Sequence, residues 1–538
     1  MTALLFGLVP VVLYLVAYGT YGRWIEKHVG ADPERKTPAQ TVNDGRDYVP
    51  THKLILFGHH FASICGGTGV IGPITAAVYG WLPAALWILF GNLFIGAAYD
   101  YMSLMASVRF GGKSVGVLIK HYLGRVGYKL FLLFVLVTMV LIVAVFALNI
   151  GGTFAANPSV ASTSMMFMVI AVAFGWAVYR ARVPLGTATV LGLVGIALAL
   201  WLGFLAPVKI AASSWVWILL AYCFLASVAP VWVLLQPRDY LNAYLLIAVT
   251  FLGVVGLLVS APNLAYPAFT QAVAPNLGPL FPMVLITISC GAVSGSHAII
   301  ASGTTSKQLA NEKDAKMIAF GGMLLEGVVA FLAIATVAKL SGAEYATRLK
   351  NLGGPVGVFG LGVGEFMSRF GIPVQLGASF STLCLSAFML TSMDTIARLG
   401  RYCIEELLGE EIAAFKNRNV ATLAVLFLSA VLIVSGTSTA IWPVFGTANQ
   451  LLTALVLIGL ALWLSHMGKN PMPAVVPMVF MFVVEFCALG ILMKNNLFSA
   501  KPNYVLGTTS VLLTLLAVYL ASIGARALSA KKDMTQSL

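Results

Sequence analysis

Two histidines, His59 and His60, stand just ahead of the run Gly66-Gly67-Thr68-Gly69, and a third, His297, lies in a second glycine-rich run with Gly291, Ser294 and Gly295. An imidazole titrates near neutrality, so it can carry a proton or donate to a carboxylate. Carboxylates that could share such chemistry stand inside apolar stretches at Asp100, Glu326, Asp394 and Glu485. Charge placed in hydrocarbon is costly and usually implies a partner or a role. At about 1.5 Å per helical residue, Glu326 falls roughly 14 Å from the end of its stretch and Glu485 roughly 18 Å from the end of its own, which places both near a membrane midplane. A carboxyl group withdrawn from water favours its neutral form, so it can load a proton on one side and release it on the other. Glu326 is the expected coupling carboxylate, with hydrogen-bonded packing as the alternative, and for Glu485 packing is the preferred reading.

Asp100 and Asp394 fall late in their stretches, near the inner surface. Asp394 precedes Arg398 by four residues, the spacing of a helix-surface pair. Asp100 precedes Arg109 and Lys113 and suits a cytoplasmic gate. For both, direct ion coupling is the second reading. A sodium ion in place of a proton would draw on backbone carbonyls together with Thr68, Ser294, Thr304 and Thr305. In TANQLL, Asn449 and Gln450 offer neutral donors and acceptors inside an apolar run, either to substrate or to neighbouring helices.

No metal site is expected. On a helix, His59 and His60 point about 100° apart and cannot clamp one ion as an i,i+4 pair could. The six cysteines show no CxxC spacing and no pairing framework, and no disulfide is expected.

The elements that must hold these groups are membrane helices. With 59% hydrophobic and only 9% charged residues, a water-exposed surface would go uncovered. Apolar segments read as 3–22, 54–78, 82–108, 128–149, 162–179, 185–205, 214–235, 240–260, 281–305, 317–338, 377–397, 419–436, 442–465, 473–493 and 504–525, about fifteen spans. With the N-terminus outside and the C-terminus inside, only seven of the 32 Lys plus Arg fall outside (Lys209, Lys339, Arg348, Lys350, Arg369, Lys494 and Lys501), while Arg23, Lys27, Arg46, Arg109, Lys113 and the rest fall inside. That bias follows the positive-inside rule. It also accounts for the net charge of +13 without a polyanionic partner, so no nucleic acid is expected.

The first segment has no basic residue ahead of it, unlike a signal peptide, and is expected to be retained. The tail ALSAKKDMTQSL is short and polar and suggests no soluble second domain. The connection 339–371 is rich in Gly and Pro and reads either as a lid or as an interfacial helix.

Both glycine-rich runs read as breaks within spans, and the two echo each other through Cys65-Gly66 and Cys290-Gly291. The first span runs inside to outside and the second outside to inside. Two interrupted helices of opposite course are what inverted repeats produce, with half-helix ends meeting near the midplane. Close packing of helices through small residues is the alternative.

The stretches KLILFGHHFASICGGTGVIGP, WLPAALWILFGNLFIGAAYDYMSLMASVRFGGKSVG, SCGAVSGSHAIIASGTTSKQLANEKDAKMIAFGGMLLE, LTSMDTIARLGRYCIEELLG and WPVFGTANQLL resemble the carbon starvation protein A (CstA) transporters, from about Lys53 to Leu452. The resemblance implies an all-α polytopic membrane protein with a LeuT-like inverted-repeat core, two broken helices and extra peripheral helices. It further implies uptake of peptides, or of pyruvate with protons, by carbon-starved bacteria across the inner membrane. Under it, residues 1–538 form one transporter domain: a peripheral N-terminal helix at 1–22, the CstA-like core at 54–465, and peripheral C-terminal helices at 473–525. Six spans separate the two breaks here, where a plain LeuT-like plan has four, so an inserted pair, a single span divided in two by this reading, or a displaced break is expected.

The substrate-binding candidates are therefore His59, His60, Gly66, Gly67, Thr68, Gly69, Gly291, Ser294, Gly295, His297, Asn449 and Gln450, and the ion-coupling candidates are Glu326, Asp100 and Asp394. No P-loop, HExxH, GxSxG or dinucleotide fingerprint occurs in a suitable context, so no catalytic residue, cofactor or enzymatic activity is expected. The leading class is a secondary carrier driven by a proton or sodium gradient, with a pyruvate-like carboxylate or short peptides as substrate and lipid as its surroundings. A channel and a membrane nutrient receptor are the other classes.

Overall fold

The computed structural model describes residues 4–45, 47–229, 233–275, 277–409, 411–436 and 438–529. Arg46 and the tail from 530 to 538 lie outside them. The chain is almost entirely helical, and its one sheet among the described residues is a two-stranded antiparallel pair, Val273–Ala274 with Gly278–Pro279.

Twelve helices among the described residues are long and apolar enough to cross a membrane. To these is added one pair bent by 44°, Lys53–Ile64 with Thr68–Tyr79, and a shorter apolar helix, Ala212–Val228. The expected segment 281–305 is two eight-residue helices, Leu280–Thr287 and Ser296–Gly303, separated by a non-helical stretch. Each apolar segment read from the sequence thus overlaps a helix or a broken pair. Several helices run past the expected ends, because polar turns at the membrane surface still complete their backbone hydrogen bonds within the helix.

The helix Val115–Ala156 contains Gly124 at φ 73°, a left-handed conformation open to glycine at little cost. The turn at Gly124 divides a short, partly buried helix from the apolar span that follows. The N-terminal helix Val9–Gly19 docks through Tyr14, which is buried and donates to the Ile88 carbonyl at 3.1 Å. In the connection 339–371, the helix Pro355–Met367 is buried along most of its length.

The two broken segments run in opposite directions through one centre. At one end, Val49 and Thr51, which lead into the first, donate to the carbonyls of Lys307 and Gln308, which follow the second. At the other end, Tyr79, which closes the first, donates its hydroxyl to Gly278, which precedes the second, at 3.0 Å. At the centre the backbones touch: a Cβ built on Gly291 would lie 3.4 Å from the Gly69 carbonyl oxygen and 3.8 Å from the Gly69 Cα. Six helical passes lie between the two broken segments.

Candidate functional site

A helix broken inside a membrane leaves backbone amides and carbonyls without partners, and side chains must supply them. The helix Ser438–His466 does this for the second break. Asn449 Nδ2 donates to Ser289 O at 2.7 Å and to Ser294 Oγ at 3.0 Å, and Asn449 Oδ1 accepts from the Ser296 amide at 3.0 Å. Gln450 Nε2 donates to Leu285 O at 3.0 Å and Ile288 O at 3.1 Å. Two residues that the sequence reading passed over complete the frame. Asn92 Nδ2 donates to Gly291 O at 3.0 Å and Met323 O at 2.8 Å, and Tyr99 donates to Gly295 O at 3.2 Å. A satisfied bond contributes about 1 kcal/mol net, but a buried group left without one costs about 1–3 kcal/mol, so these four side chains fix the shape of the break.

Three titratable groups from three helices meet beside it, all fully buried. His297 Nδ1 lies 2.9 Å from Asp100 Oδ2, and His297 Nε2 lies 3.5 Å from Glu326 Oε2 and 3.3 Å from Cys290 Sγ. The second oxygen of Asp100 and both oxygens of Glu326 have no hydrogen-bond donor. Among the described residues, His297 is the basic side chain placed against either carboxylate. The Cys290 thiol, the His297 ring and the Glu326 carboxylate present ligand atoms that all lie within 4.8 Å of one another, a set able to hold a metal ion. Neighbours in sequence, such as His59 and His60, suggest no metal site, whereas the fold brings together ligand atoms from residues 290, 297 and 326.

Asp100 is not at the inner surface. Its helix continues to Arg109, roughly 14 Å further along its axis, so the carboxylate lies at the depth of the break. Arg109 instead pairs with Glu312 at 2.7 Å and donates to the Gly30 carbonyl.

His60 Nδ1 lies 2.9 Å from Thr305 Oγ1, and His59 is half-buried on a neighbouring face of the same helix. The Thr304 hydroxyl donates to Ile300 O. Between the breaks lies a cavity of about 30 Å³. Its polar lining is neutral: Ser63, Thr68, Ser296, Thr391, Ser392, Thr395 and Asn449, with the Cys290 thiol. The half-helices Thr68–Ala76 and Ser296–Gly303 both open onto it at their N-terminal ends, through Thr68 and Ser296. Gly66 also lines it, whereas Gly67 packs against Met389 and Gly69 against Glu326. Gln450 is absent from the lining, its amide being turned to the backbone.

Asp394 takes a partner other than the one expected. Arg238 Nη1 lies 2.6 Å from its Oδ2, and Tyr222 donates to the same oxygen at 2.9 Å. Arg398 caps the end of Ala212–Val228 by donating to Ala226 O and Ala229 O. The apolar runs 214–235 and 240–260 read from the sequence leave Arg238 between them. The helix in fact begins at Leu235 and carries Arg238 into the protein. Glu485 is buried, and neither of its oxygens has a donor.

Residues 2–351 and 346–488 match the family described as Carbon starvation protein CstA. The chain is 32% identical to the peptide transporter CstA of Campylobacter jejuni, over 88% of this chain and 78% of that one. It is 31% identical to the pyruvate/proton symporter BtsT of Escherichia coli, over 93% of this chain and 82% of that one. A crystal structure of the Eremococcus coleocola manganese transporter shares the fold at a TM-score of 0.54 and 12% identity, covering 92% of this chain and 99% of that one.

Proposed function

This chain belongs to the carbon starvation protein CstA family of membrane transporters, and on that premise we propose that it is a secondary carrier coupling entry of a small carboxylate, pyruvate-like in size, to protons. One observation carries the reading: the cavity between the two breaks lies next to the Asp100–His297–Glu326 chain, and Cys290, which touches His297, lines it.

With every member ionised, the two carboxylates and one imidazolium sum to one negative charge in a site shut off from water. One added proton makes the cluster neutral, the state that a low dielectric favours. His297 bridges the two acids, so a proton can pass between Asp100 and Glu326 through its ring without either carboxylate moving far. The Nδ1 side serves Asp100 and the Nε2 side serves Glu326.

The substrate reading follows from the lining. Two half-helix N-termini offer partial positive charge, and the hydroxyls of Ser63, Thr68, Thr391 and Ser392 offer hydrogen bonds, which suits one carboxylate. No lining group carries the negative charge that a peptide's ammonium would need. A volume of about 30 Å³ holds a water or two and no solute, so admission requires the flanking helices to part on one side, as alternating access demands. The peptide-specific alternative draws support from the relatives named peptide transporters.

In this reading the protein spans the bacterial inner membrane with the Lys53 end of the first break inside, and it performs no catalysis. Protons are preferred to sodium because the two buried carboxylates, Asp100 and Glu326, are bridged by His297, a ring that carries a proton.

The test is uptake by the purified protein in liposomes under an inward proton gradient, with sodium replaced by potassium. Saturable accumulation of labelled pyruvate, competed poorly by di- and tripeptides, is the expected result. Accumulation of a labelled peptide without pyruvate uptake would move the assignment to peptides, and a strict need for sodium would replace the coupling ion.

A further inference from the structure

We propose that Cys290, His297 and Glu326 form a binding site for a thiophilic divalent cation of the Zn²⁺ class, and that an ion held there blocks the carrier. The binding stands on the geometry of these three side chains alone, whereas the block rests on the carrier reading above.

The ligand types come first. Thiolate, imidazole and carboxylate together suit Zn²⁺ and its relatives and do not suit Mg²⁺ or Ca²⁺, which take oxygen. Tetrahedral Zn²⁺, with bonds of about 2.3 Å to sulfur and about 2.0 Å to nitrogen or oxygen, sets sulfur and nitrogen about 3.5 Å apart and nitrogen and oxygen about 3.3 Å apart. The structure places Cys290 Sγ 3.3 Å from His297 Nε2, and Nε2 3.5 Å from Glu326 Oε2, so side-chain shifts of a few tenths of an ångström complete those two edges.

The imidazole is already oriented. Asp100, 2.9 Å from His297 Nδ1, accepts the hydrogen bond from Nδ1–H and leaves the Nε2 lone pair facing Cys290 and Glu326, the carboxylate–histidine–metal arrangement found around zinc. Both oxygens of Glu326 lack a donor although the side chain is fully buried. Charge is balanced within the ligand shell: one thiolate and one carboxylate cancel the two positive charges of the ion, and with the Asp100 carboxylate the filled cluster carries the same single negative charge as the fully ionised empty one. The thiol proton leaves through the cavity, which Cys290 and Thr68 line and through which the ion enters. An ion seated there joins the helix Gly321–Ala338 to the second break. A carrier that must move one against the other stops.

Co²⁺ serves as the spectroscopic probe on the purified full-length protein. One Co²⁺ per chain should bind with a sulfur-to-cobalt charge-transfer absorption, and added Zn²⁺ should displace it. Cys290→Ser should abolish that band while Cys65→Ser keeps it. Asp100→Asn, which alters a positioning residue, should keep the band and weaken binding about 10- to 100-fold. A band that persists in Cys290→Ser would overturn the site.

Should the variants fail to fold, alkylation of Cys290 in the unsubstituted protein, followed by mass spectrometry, decides the matter: Zn²⁺ should slow it and Mg²⁺ should not, and an unchanged rate counts against the site. In proteoliposomes, Zn²⁺ should stop uptake and a chelator should restore it. Uptake untouched by Zn²⁺ that nevertheless binds would remove the block and leave the site. No uptake of any substrate by unsubstituted protein that shows the band would remove the carrier reading instead.

Discussion

Gly69 of the first break lies against Glu326 on the helix Gly321–Ala338: a Cβ built on Gly69 would lie 2.9 Å from Glu326 Oε1. The first break therefore walls the carboxylate in, and a methyl group there must push it aside. Because the obstructing atoms are the far end of a flexible side chain, Gly69→Ala should fold and reach the membrane normally. Displacing the carboxylate from His297 should lower proton-driven uptake roughly tenfold, about 1.4 kcal/mol. Initial uptake rates at matched protein levels in liposomes check this, and unchanged rates would separate Gly69 from the coupling group.

Glu326→Gln keeps the shape of the side chain and removes its ability to exchange a proton. Accumulation against a gradient should vanish, while counterflow exchange of substrate at equal pH persists. Normal pH-driven accumulation in this variant would take the coupling role away from Glu326.

Much of this site was legible in the sequence because breaks in membrane helices announce themselves by glycine. The positions of Gly66, Gly291 and His297, and the opposed course of the two segments, follow from spacing and apolar length. Spacing fails where the partner comes from elsewhere in the chain. The expected end of the Asp100 helix, near 108, agrees with the observed end at Arg109, but nothing local shows that Asp100 faces His297, 197 residues away. Arg238 falls between two apolar runs because charge interrupts them, although burial with Asp394 pays for that charge. Cys290 was noticed only as an echo of Cys65, since across an unwound stretch the seven residues to His297 set no distance. Asn92, inside FGNLFIG, was the available signal for a clamp: an amide in an apolar run needs partners.

The Arg238–Asp394 pair offers a measure of what burial costs. Removing one partner leaves an uncompensated buried charge, so Asp394→Ala should destabilise the protein by about 3–5 kcal/mol. Replacing both, Arg238→Met with Asp394→Leu, should recover only part of that loss, because Arg238 Nε also faces the buried Asp239 carboxylate at 3.7 Å. Thermal unfolding in detergent reads the difference. If the double variant is stable but exchanges substrate without accumulating it, Asp394 belongs to the ion path.

Asn449 and Gln450 stand next to each other but should fail differently. Gln450→Ala leaves the Leu285 and Ile288 carbonyls without this donor and touches no cavity, so it should cost about 1–3 kcal/mol of stability with little change in substrate KM in the surviving protein. Asn449→Ala frees the Ser296 amide beside the cavity and should raise KM as well. Equal KM values for the two variants would assign both residues to backbone support alone.

The end of the protein bearing Lys53 is held shut by Arg109, which reaches Glu312 at 2.7 Å and the Gly30 carbonyl at 2.8 Å, while the same Glu312 oxygen accepts from the Asp32 amide. Glu312 is fully buried and Arg109 is 14% exposed, so removing the arginine from this latch leaves a buried carboxylate without its cation, a larger effect than the loss of a surface pair of about 0–1 kcal/mol. Glu312 lies in the loop that follows the second break, so the latch ties that loop to the helix Ala97–Arg109 and to the segment after Val29. Arg109→Ala should release it and bias the carrier toward opening on that side. Because Cys290 lines the cavity, its alkylation by a small maleimide should then rise several-fold when the reagent is supplied from that side only, with no change from the other. Equal labelling from both sides would mean that the substitution loosens the fold as a whole, and an unchanged rate would mean that the paired segments 49–51 and 307–309 hold this end closed without the latch.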